Sequence, residues 1–240
     1  MIKNSKKNNY NTMKKPFILI ALSFMILQSC NAQSFDLADV KFPVDKASLT
    51  KYKLEDKQIL ELDYRLFKSV SPDVLHFNKA SLSGHTGNAN DDIAGTNLVY
   101  FYSNDKTGKI QAYKVETYTT PETKKLITAI ESKLGKAVFD RGQDNRFRIW
   151  ESADKKTIYL LESGQFSLNN DPKTASARFF AIDRSAKDLV DHRLTSGFQY
   201  YKDYLFEKSK KTGKYTYADF LKDMKAQGEG YYLKGDNTIK

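Results

Sequence analysis

The sequence predicts an α+β fold, in which an antiparallel sheet built from hairpins is packed against an amphipathic helix and followed by a helical C-terminal segment. Three observations support this class: two hairpin patterns, one strong helical pattern between them, and helical periodicity near the C terminus. Tight loops between neighbouring strands make those strands antiparallel, and one amphipathic helix can cover one side of such a sheet.

The first hairpin extends from Asn97 to Tyr118. Its strands are rich in β-branched and aromatic residues, and they flank a run of turn formers at 104–108. A helix is expected directly afterwards, because Thr120 can cap it and Pro121 suits its first helical position. Apolar residues recur at helical spacing over 126–134, and Gly135 is expected to end the helix.

The second half of the chain continues with strands and then helices. A short strand is predicted at 137–139, a hairpin at 146–151 and 157–161, and a further strand at 177–182. Helical spacing returns at 186–194 and at 216–227, where Thr216 and Asp219 resemble a capping box. The basic run at 208–214 is expected to be a solvated loop. Residues 59–67 fit strand and helix patterns only in part, so neither element is predicted there.

The N terminus has the pattern of an export signal. Residues 1–15 are polar and basic, and Pro16–Leu27 is an apolar run interrupted only by Ser23. As a helix this run would reach about 18 Å, which is short of the roughly 30 Å hydrocarbon core of a membrane. The segment is therefore expected to direct export rather than to span the membrane permanently.

The apolar run ends in Leu27-Gln28-Ser29-Cys30, which resembles the lipobox of bacterial lipoproteins. The resemblance covers about the first 30 residues and implies cleavage before Cys30, a thioether from Cys30 to diacylglycerol, and acylation of the new amino group by palmitate or a similar chain. Cleavage after Ala32 by the ordinary signal peptidase is the alternative, and it would give a soluble product. Cys30 is the only cysteine, so an intramolecular disulfide is excluded.

These features predict a signal peptide at 1–29, a tether at 30–45 and one α+β domain at 46–240. The net charge of +10 falls to +5 without the signal peptide, which is modest and suits anionic lipid headgroups rather than nucleic acid. Asn31 is not acidic, and by analogy with lipoprotein sorting this favours the outer membrane, facing the periplasm or the surface.

A polar loop at 83–95 is the first candidate ligand site. It holds three glycines, His85 and the adjacent carboxylates Asp91 and Asp92. Asn88, Asn90 and Asp92 alternate as calcium ligands could, but the glycine and distal glutamate of an EF-hand loop are missing, so no metal site is predicted. A ligand-contacting loop and a plain surface connection both remain open.

The second candidate site is on the strand at 146–151, where Arg146, Arg148 and Trp150 are two residues apart and share one face. An aromatic plane beside guanidinium groups could bind a sugar ring or an anionic glycan. Alternatively, the only tryptophan is a core anchor and the arginines protect the exposed side of the sheet.

No catalytic residues and no cofactor are predicted, because the sequence has neither a nucleophile-elbow motif nor a histidine pair at helical spacing. We therefore expect a membrane-tethered envelope lipoprotein that binds another protein or a cell-wall glycan. Two alternatives are an envelope hydrolase acting on glycan or peptide through His85 with Asp91 or Asp92, and a surface immunity or inhibitor protein.

Overall fold

A nine-stranded antiparallel sheet is the central layer of the computed structural model, which describes Met1 and residues 35–86, 95–167 and 173–238. The strands run in the order β2-β3-β6-β7-β11-β10-β9-β8, and β1 pairs with β7 beside this path. A separate two-stranded ribbon is formed by β4 and β5. The strand bounds are β1 (Val44–Asp45), β2 (Glu55–Glu61), β3 (Tyr64–Ser69), β4 (His76–Phe77), β5 (Ala80–Ser81), β6 (Leu98–Asn104), β7 (Lys109–Thr117), β8 (Phe139–Arg141), β9 (Arg146–Glu151), β10 (Thr157–Phe166) and β11 (Thr174–Asp183).

Four α-helices occur within the described ranges, and three of them follow the last strand. They are α1 (Thr120–Leu134), α2 (Lys187–Arg193), α3 (Gln199–Ser209) and α4 (Tyr217–Ala226). A large antiparallel sheet with helices and a helical C-terminal region confirms the predicted α+β class.

The alternation of side chains along each strand gives the sheet two apolar faces, each with its own core. The first core lies against α1 and the segments at 37–82, and its sheet residues include Val99, Phe101, Tyr113, Val115 and Phe179. The second core lies against α2, α3 and α4, and its sheet residues include Tyr102, Ala112, Leu160, Phe180 and Ile182. The C-terminal helices therefore cover the face opposite to α1.

The predicted hairpins and α1 are confirmed, with boundaries shifted by a few residues. The N-cap of α1 is Thr119 rather than Thr120, and its hydroxyl donates to Glu122 Oε2 at 2.5 Å. Gly135 ends the helix at φ 72°, a left-handed value that glycine adopts without steric cost. The capping box of α4 is also present, since Thr216 Oγ1 accepts from the Asp219 amide and Asp219 accepts from the Thr216 amide.

Helix α3 was not predicted, because its residues show no clear apolar stripe. Tyr201 and Tyr204 are buried in the second core, whereas Phe206 on the same helix is 63% exposed. The tertiary contacts of two aromatic rings stabilise a helix that periodicity alone does not identify.

The ambiguous segment at 59–67 forms the hairpin of β2 and β3. Its two-residue turn is Leu62-Asp63, and Leu62 adopts a φ of 55°, which is uncommon for a residue other than glycine. A register shift between Asp56 and Leu60 places extra residues on β2. The sequence lacks a glycine or asparagine at this turn, so the hairpin had no local signal.

Residues 35–45 differ from the predicted tether. Leu37 is 1% exposed in the first core, and Val44 pairs with Ile110 of β7. Burial of Leu37 and this strand pairing make the segment part of a compact unit that extends from Phe35. The predicted signal peptide, the lipobox and Cys30 lie outside the described residues.

Candidate binding surface

The face of the sheet that packs against α2–α4 extends beyond these helices, and there it carries polar and aromatic side chains. Cross-strand register places Glu116 of β7 opposite Arg178 of β11, and Arg178 opposite Glu162 of β10. The side chains of Arg178 and Glu162 are 58% and 38% exposed, so this region is open to solvent. We call it the polar face, and define it by Tyr100, Lys114, Glu116, Tyr118, Glu162 and Arg178.

Glu116 is the centre of the polar face, because three groups converge on its carboxylate. Lys114 Nζ lies 2.8 Å from Oε1, and the Tyr118 hydroxyl donates to Oε2 at 2.7 Å. Arg178 Nε lies 3.9 Å from Oε1, while Arg178 Nη1 lies 3.5 Å from Glu162. The side chain of Glu116 is only 11% exposed, and these partners compensate for its loss of hydration.

The two tyrosines of the polar face are neutral over the ordinary range of pH. Burial raises the pKa of Tyr118, and the adjacent Glu116 carboxylate raises that pKa further. Burial likewise raises the pKa of Tyr100, whose ring lies 4.4 Å from Lys114 Nζ. Tyr118 therefore stays a hydrogen-bond donor to Glu116, and Lys114 makes both an ion pair and a cation–π contact.

Two shallow pockets meet at Glu162, which lines both of them. The polar pocket, of about 130 Å³, is lined by Asn145, Gly164, Ser176 and Arg178 among others. A Cβ on Gly164 would lie 2.3 Å from Asn145 Oδ1, so the Asn145 side chain approaches the Gly164 backbone closely at the wall of this pocket. The aromatic pocket, of about 150 Å³, is lined by Phe147, Phe180, His192, Arg193 and Phe198 among others.

The size of these pockets limits what they can hold. Sites for drug-sized ligands usually enclose about 300–1,000 Å³, whereas these two enclose about 130 and 150 Å³. Each is large enough for one side chain or one small polar group of a larger partner. The arrangement fits contact with an extended surface better than enclosure of a substrate.

The predicted glycan site on β9 is divided between two environments. Trp150 is 1% exposed and donates through Nε1 to the Gly135 carbonyl at 2.9 Å, so its ring has no face open to solvent. Arg148 is buried beside it, 2.6 Å from Glu131 of α1. For Trp150 the structure therefore favours the core-anchor alternative, because the indole fills the space under the C-terminal end of α1.

Arg146 is more accessible, but its guanidinium already has a partner. It forms two hydrogen bonds to the Asp140 carboxylate of the neighbouring strand, at 2.7 and 2.5 Å. The three residues thus do not form one solvent-facing platform, and contact between Arg146 and a ligand stays a prediction.

The second predicted site can be located only in part. His85 is exposed at the base of the 83–95 loop, where its backbone pairs with Thr96, while Asp91 and Asp92 lie outside the described residues. The pairing of His85 with either carboxylate therefore stays a prediction. Over the ranges that the structure describes, no cluster of three or more His, Cys, Asp or Glu residues could hold a metal ion.

The central residues of the polar face were not identified from the sequence. A signal was present, because Lys114 and Glu116 alternate with apolar residues on a predicted strand, and Arg178 does so on another. Sequence alone does not show that β7 and β11 are neighbours, and so it could not bring Glu116 and Arg178 together.

The fold and this surface define an α+β protein with a mixed polar and aromatic area on one face of an antiparallel sheet. Comparison with protein-family models, with curated proteins and with solved structures yields no match for the chain. Among the described residues, none of the helices has the length and apolar character needed to cross a membrane.

Proposed function

We propose that this protein is a lipid-anchored lipoprotein of the bacterial envelope that acts as a binding module for another envelope protein or a cell-wall component. The polar face is the proposed contact surface. The observation that carries the proposal is the convergence of Lys114, Tyr118 and Arg178 on the nearly buried Glu116 within a face open to solvent.

Such a network favours binding because Lys114 and Tyr118 contact Glu116 at 2.8 and 2.7 Å before a partner arrives. Immobilising a flexible side chain on binding costs about 0.5–1.5 kcal/mol, and much of this cost is avoided when ion pairs hold the side chain in place beforehand. The exposed Arg178 and Glu162 can make charged contacts at the centre, and the pockets on either side of them can each accept one protruding group.

The anchor is supported by the lipobox sequence and is tested separately. Cys30→Ala is expected to move the protein out of the membrane fraction and to abolish incorporation of labelled palmitate, because the variant lacks the acceptor sulfur. Unchanged fractionation together with unchanged labelling would remove the anchor from the proposal and leave the polar face to be judged alone.

The binding surface is tested by photo-crosslinking in the native cells. A photoreactive amino acid replaces Arg178, and a matched control replaces Lys125, which has a 53% exposed side chain on α1 and lies on the opposite face of the sheet. We expect a discrete adduct from position 178 and none from 125. Adding Glu162→Lys should strongly reduce the adduct, because it reverses a charge in the contact area.

The adduct also identifies the type of partner. A protein adduct at a defined mass supports a protein partner, and identification of a toxic enzyme would specify the immunity or inhibitor role. Adducts that co-purify with cell-wall sacculi and disappear on wall digestion support a wall component. Equal crosslinking from positions 178 and 125, or from neither, would contradict the polar face as the binding surface.

A further inference from the structure

A second surface of different chemistry lies at the end of α3 and in the loop that follows it. We call it the basic patch, and define it by Lys202, Phe206, Lys208, Lys210, Lys211 and Lys214. Phe206 is 63% exposed, the highest value for a large hydrophobic residue among those that the structure describes after residue 34. It is therefore an apolar ring in water, surrounded in sequence by lysines.

The exposure of Phe206 follows from the packing of its helix. Tyr201 and Tyr204 enter the second core, which orients α3 so that position 206 faces outward. Lys210 Nζ lies 3.8 Å from the centroid of the Phe206 ring. The Lys210 ammonium group and the exposed Phe206 ring are therefore adjacent, so a cation and an apolar group lie side by side at the protein surface.

The charges of the basic patch are only partly compensated. Lys210 pairs with Glu207 at 2.7 Å, and Lys211 pairs with Asp223 at 3.0 Å. Asp203, also on α3, accepts a hydrogen bond from the Tyr232 hydroxyl. Lys202, Lys208 and Lys214 form no ion pair with any residue that the structure describes, and Lys208 Nζ lies 5.3 Å from the centroid of the Tyr204 ring. Three cations without an ion pair thus occur in the segment that contains Phe206.

We propose that the basic patch contacts the anionic headgroups of a lipid surface, with the Phe206 ring entering the interface. Cations beside an apolar ring complement such a surface, because the lysines meet the phosphates while the ring leaves water. Contact with the membrane that carries the lipid anchor rests on the proposed function, whereas affinity for anionic lipid rests on the basic patch alone. Each lysine near an anionic surface contributes roughly fivefold to the docking equilibrium.

The test uses the full processed protein in nanodiscs of phosphatidylcholine, with or without about one-third phosphatidylglycerol. Ser209→Cys introduces a thiol in the patch for a polarity-sensitive fluorophore, and Gln143→Cys, in the exposed β8–β9 turn, is the control position. We expect a blue shift and quenching by lipid-borne quenchers at position 209 in anionic discs only. The signal should decrease in high salt, because salt screens the lysines.

Two further variants separate the contributions of charge and ring. Lys202→Gln with Lys214→Gln should weaken docking about 25-fold, which is the product of two roughly fivefold effects. Phe206→Ser should abolish the blue shift while leaving a salt-dependent association. Any of three results would overturn the proposal: equal signals in neutral and anionic discs, equal signals at positions 209 and 143, or docking that the two lysine substitutions leave unchanged.

The same preparation reports on the anchor independently. A parent chain whose Cys30 is thioether-linked takes up no thiol reagent and has the mass of a lipidated chain, whereas an unmodified Cys30 takes up one equivalent. A chain cleaved after Ala32 lacks Cys30 and also takes up none, but its mass is that of the unlipidated chain from Gln33. In either of the last two cases the tether proposal fails, and the basic patch is then tested in the chain without a free Cys30 by binding to anionic vesicles. The two proposals can therefore fail separately.

Discussion

Asn97 is a buried polar residue that joins three parts of the fold, and its removal should be costly. It is fully buried, and its Nδ2 donates to the Leu82 carbonyl and to Thr119 Oγ1, both at 2.9 Å. Its Oδ1 accepts from the Tyr118 amide at 2.7 Å. One side chain thus connects the base of the 83–95 loop, the end of β7 and the N-cap of α1.

The cost of Asn97→Ala follows from these three bonds. The Thr119 hydroxyl still donates to Glu122 in the variant, so loss of the hydrogen bond from Asn97 costs little at this group. The Tyr118 amide and the Leu82 carbonyl each lose a buried partner, and each such loss costs about 1–3 kcal/mol. We therefore expect the free energy of unfolding to fall by about 2–6 kcal/mol, a large part of the 5–15 kcal/mol typical of a domain.

Urea unfolding measures this change, with the fluorescence of the single, buried Trp150 as one probe and far-UV circular dichroism as the other. Asn145→Ala is the matched control, because Asn145 is exposed and its loss should change stability by less than about 0.5 kcal/mol. A change below about 1 kcal/mol for Asn97→Ala would refute the assignment of a structural role to these hydrogen bonds.

Three further predictions follow from local geometry and titration. Gly197→Ala should destabilise the protein by about 1–3 kcal/mol in thermal unfolding, because a Cβ there would lie 2.3 Å from the Phe147 ring; unchanged stability would show that the 195–198 turn moves freely. Burial raises the pKa of Tyr201, because the folded protein favours the neutral phenol. The contribution of this phenol to the free energy of unfolding is therefore complete below pH ~10 and decreases above that pH by about 1.4 kcal/mol per pH unit. Urea titrations at pH 9–11.5 should show that slope reduced in Tyr201→Phe, and an identical slope would contradict the reasoning. Hydrogen bonds from Thr216 lower the pKa of Asp219, so its stabilisation of α4 is present at neutral pH and is lost as pH falls below about 4. Asp219→Asn should remove that acid dependence from the hydrogen exchange of α4, whereas a retained dependence would place its origin elsewhere.

Local signals were reliable where one short segment contained all the information. The hairpin around 104–108 has its own turn residues, and α1 has its own proline and terminal glycine. The capping box at Thr216 and Asp219 is of the same kind. Each of these elements needs no partner from elsewhere in the chain to be recognised.

Sequence patterns did not predict an element where contacts with a distant part of the chain stabilise it. The β2–β3 turn places Leu62 at a positive φ, and α3 presents Phe206 to water while its tyrosines are buried. Leu37, in a segment that reads as a tether, is buried under the sheet. In each case tertiary packing outweighs the local preference of the segment.

The sequence by itself determined the types of most elements, the antiparallel character of the sheet and the expectation of an exported, lipidated chain, because these depend on composition and spacing within short segments. Only the tertiary structure decided that α1 and the C-terminal helices lie on opposite faces, that Trp150 faces the core, and that Glu116 meets Arg178. Thr117 and Ala177 pair across 60 positions of sequence, and periodicity shows that a strand has two faces without showing which distant strand or helix each face will contact.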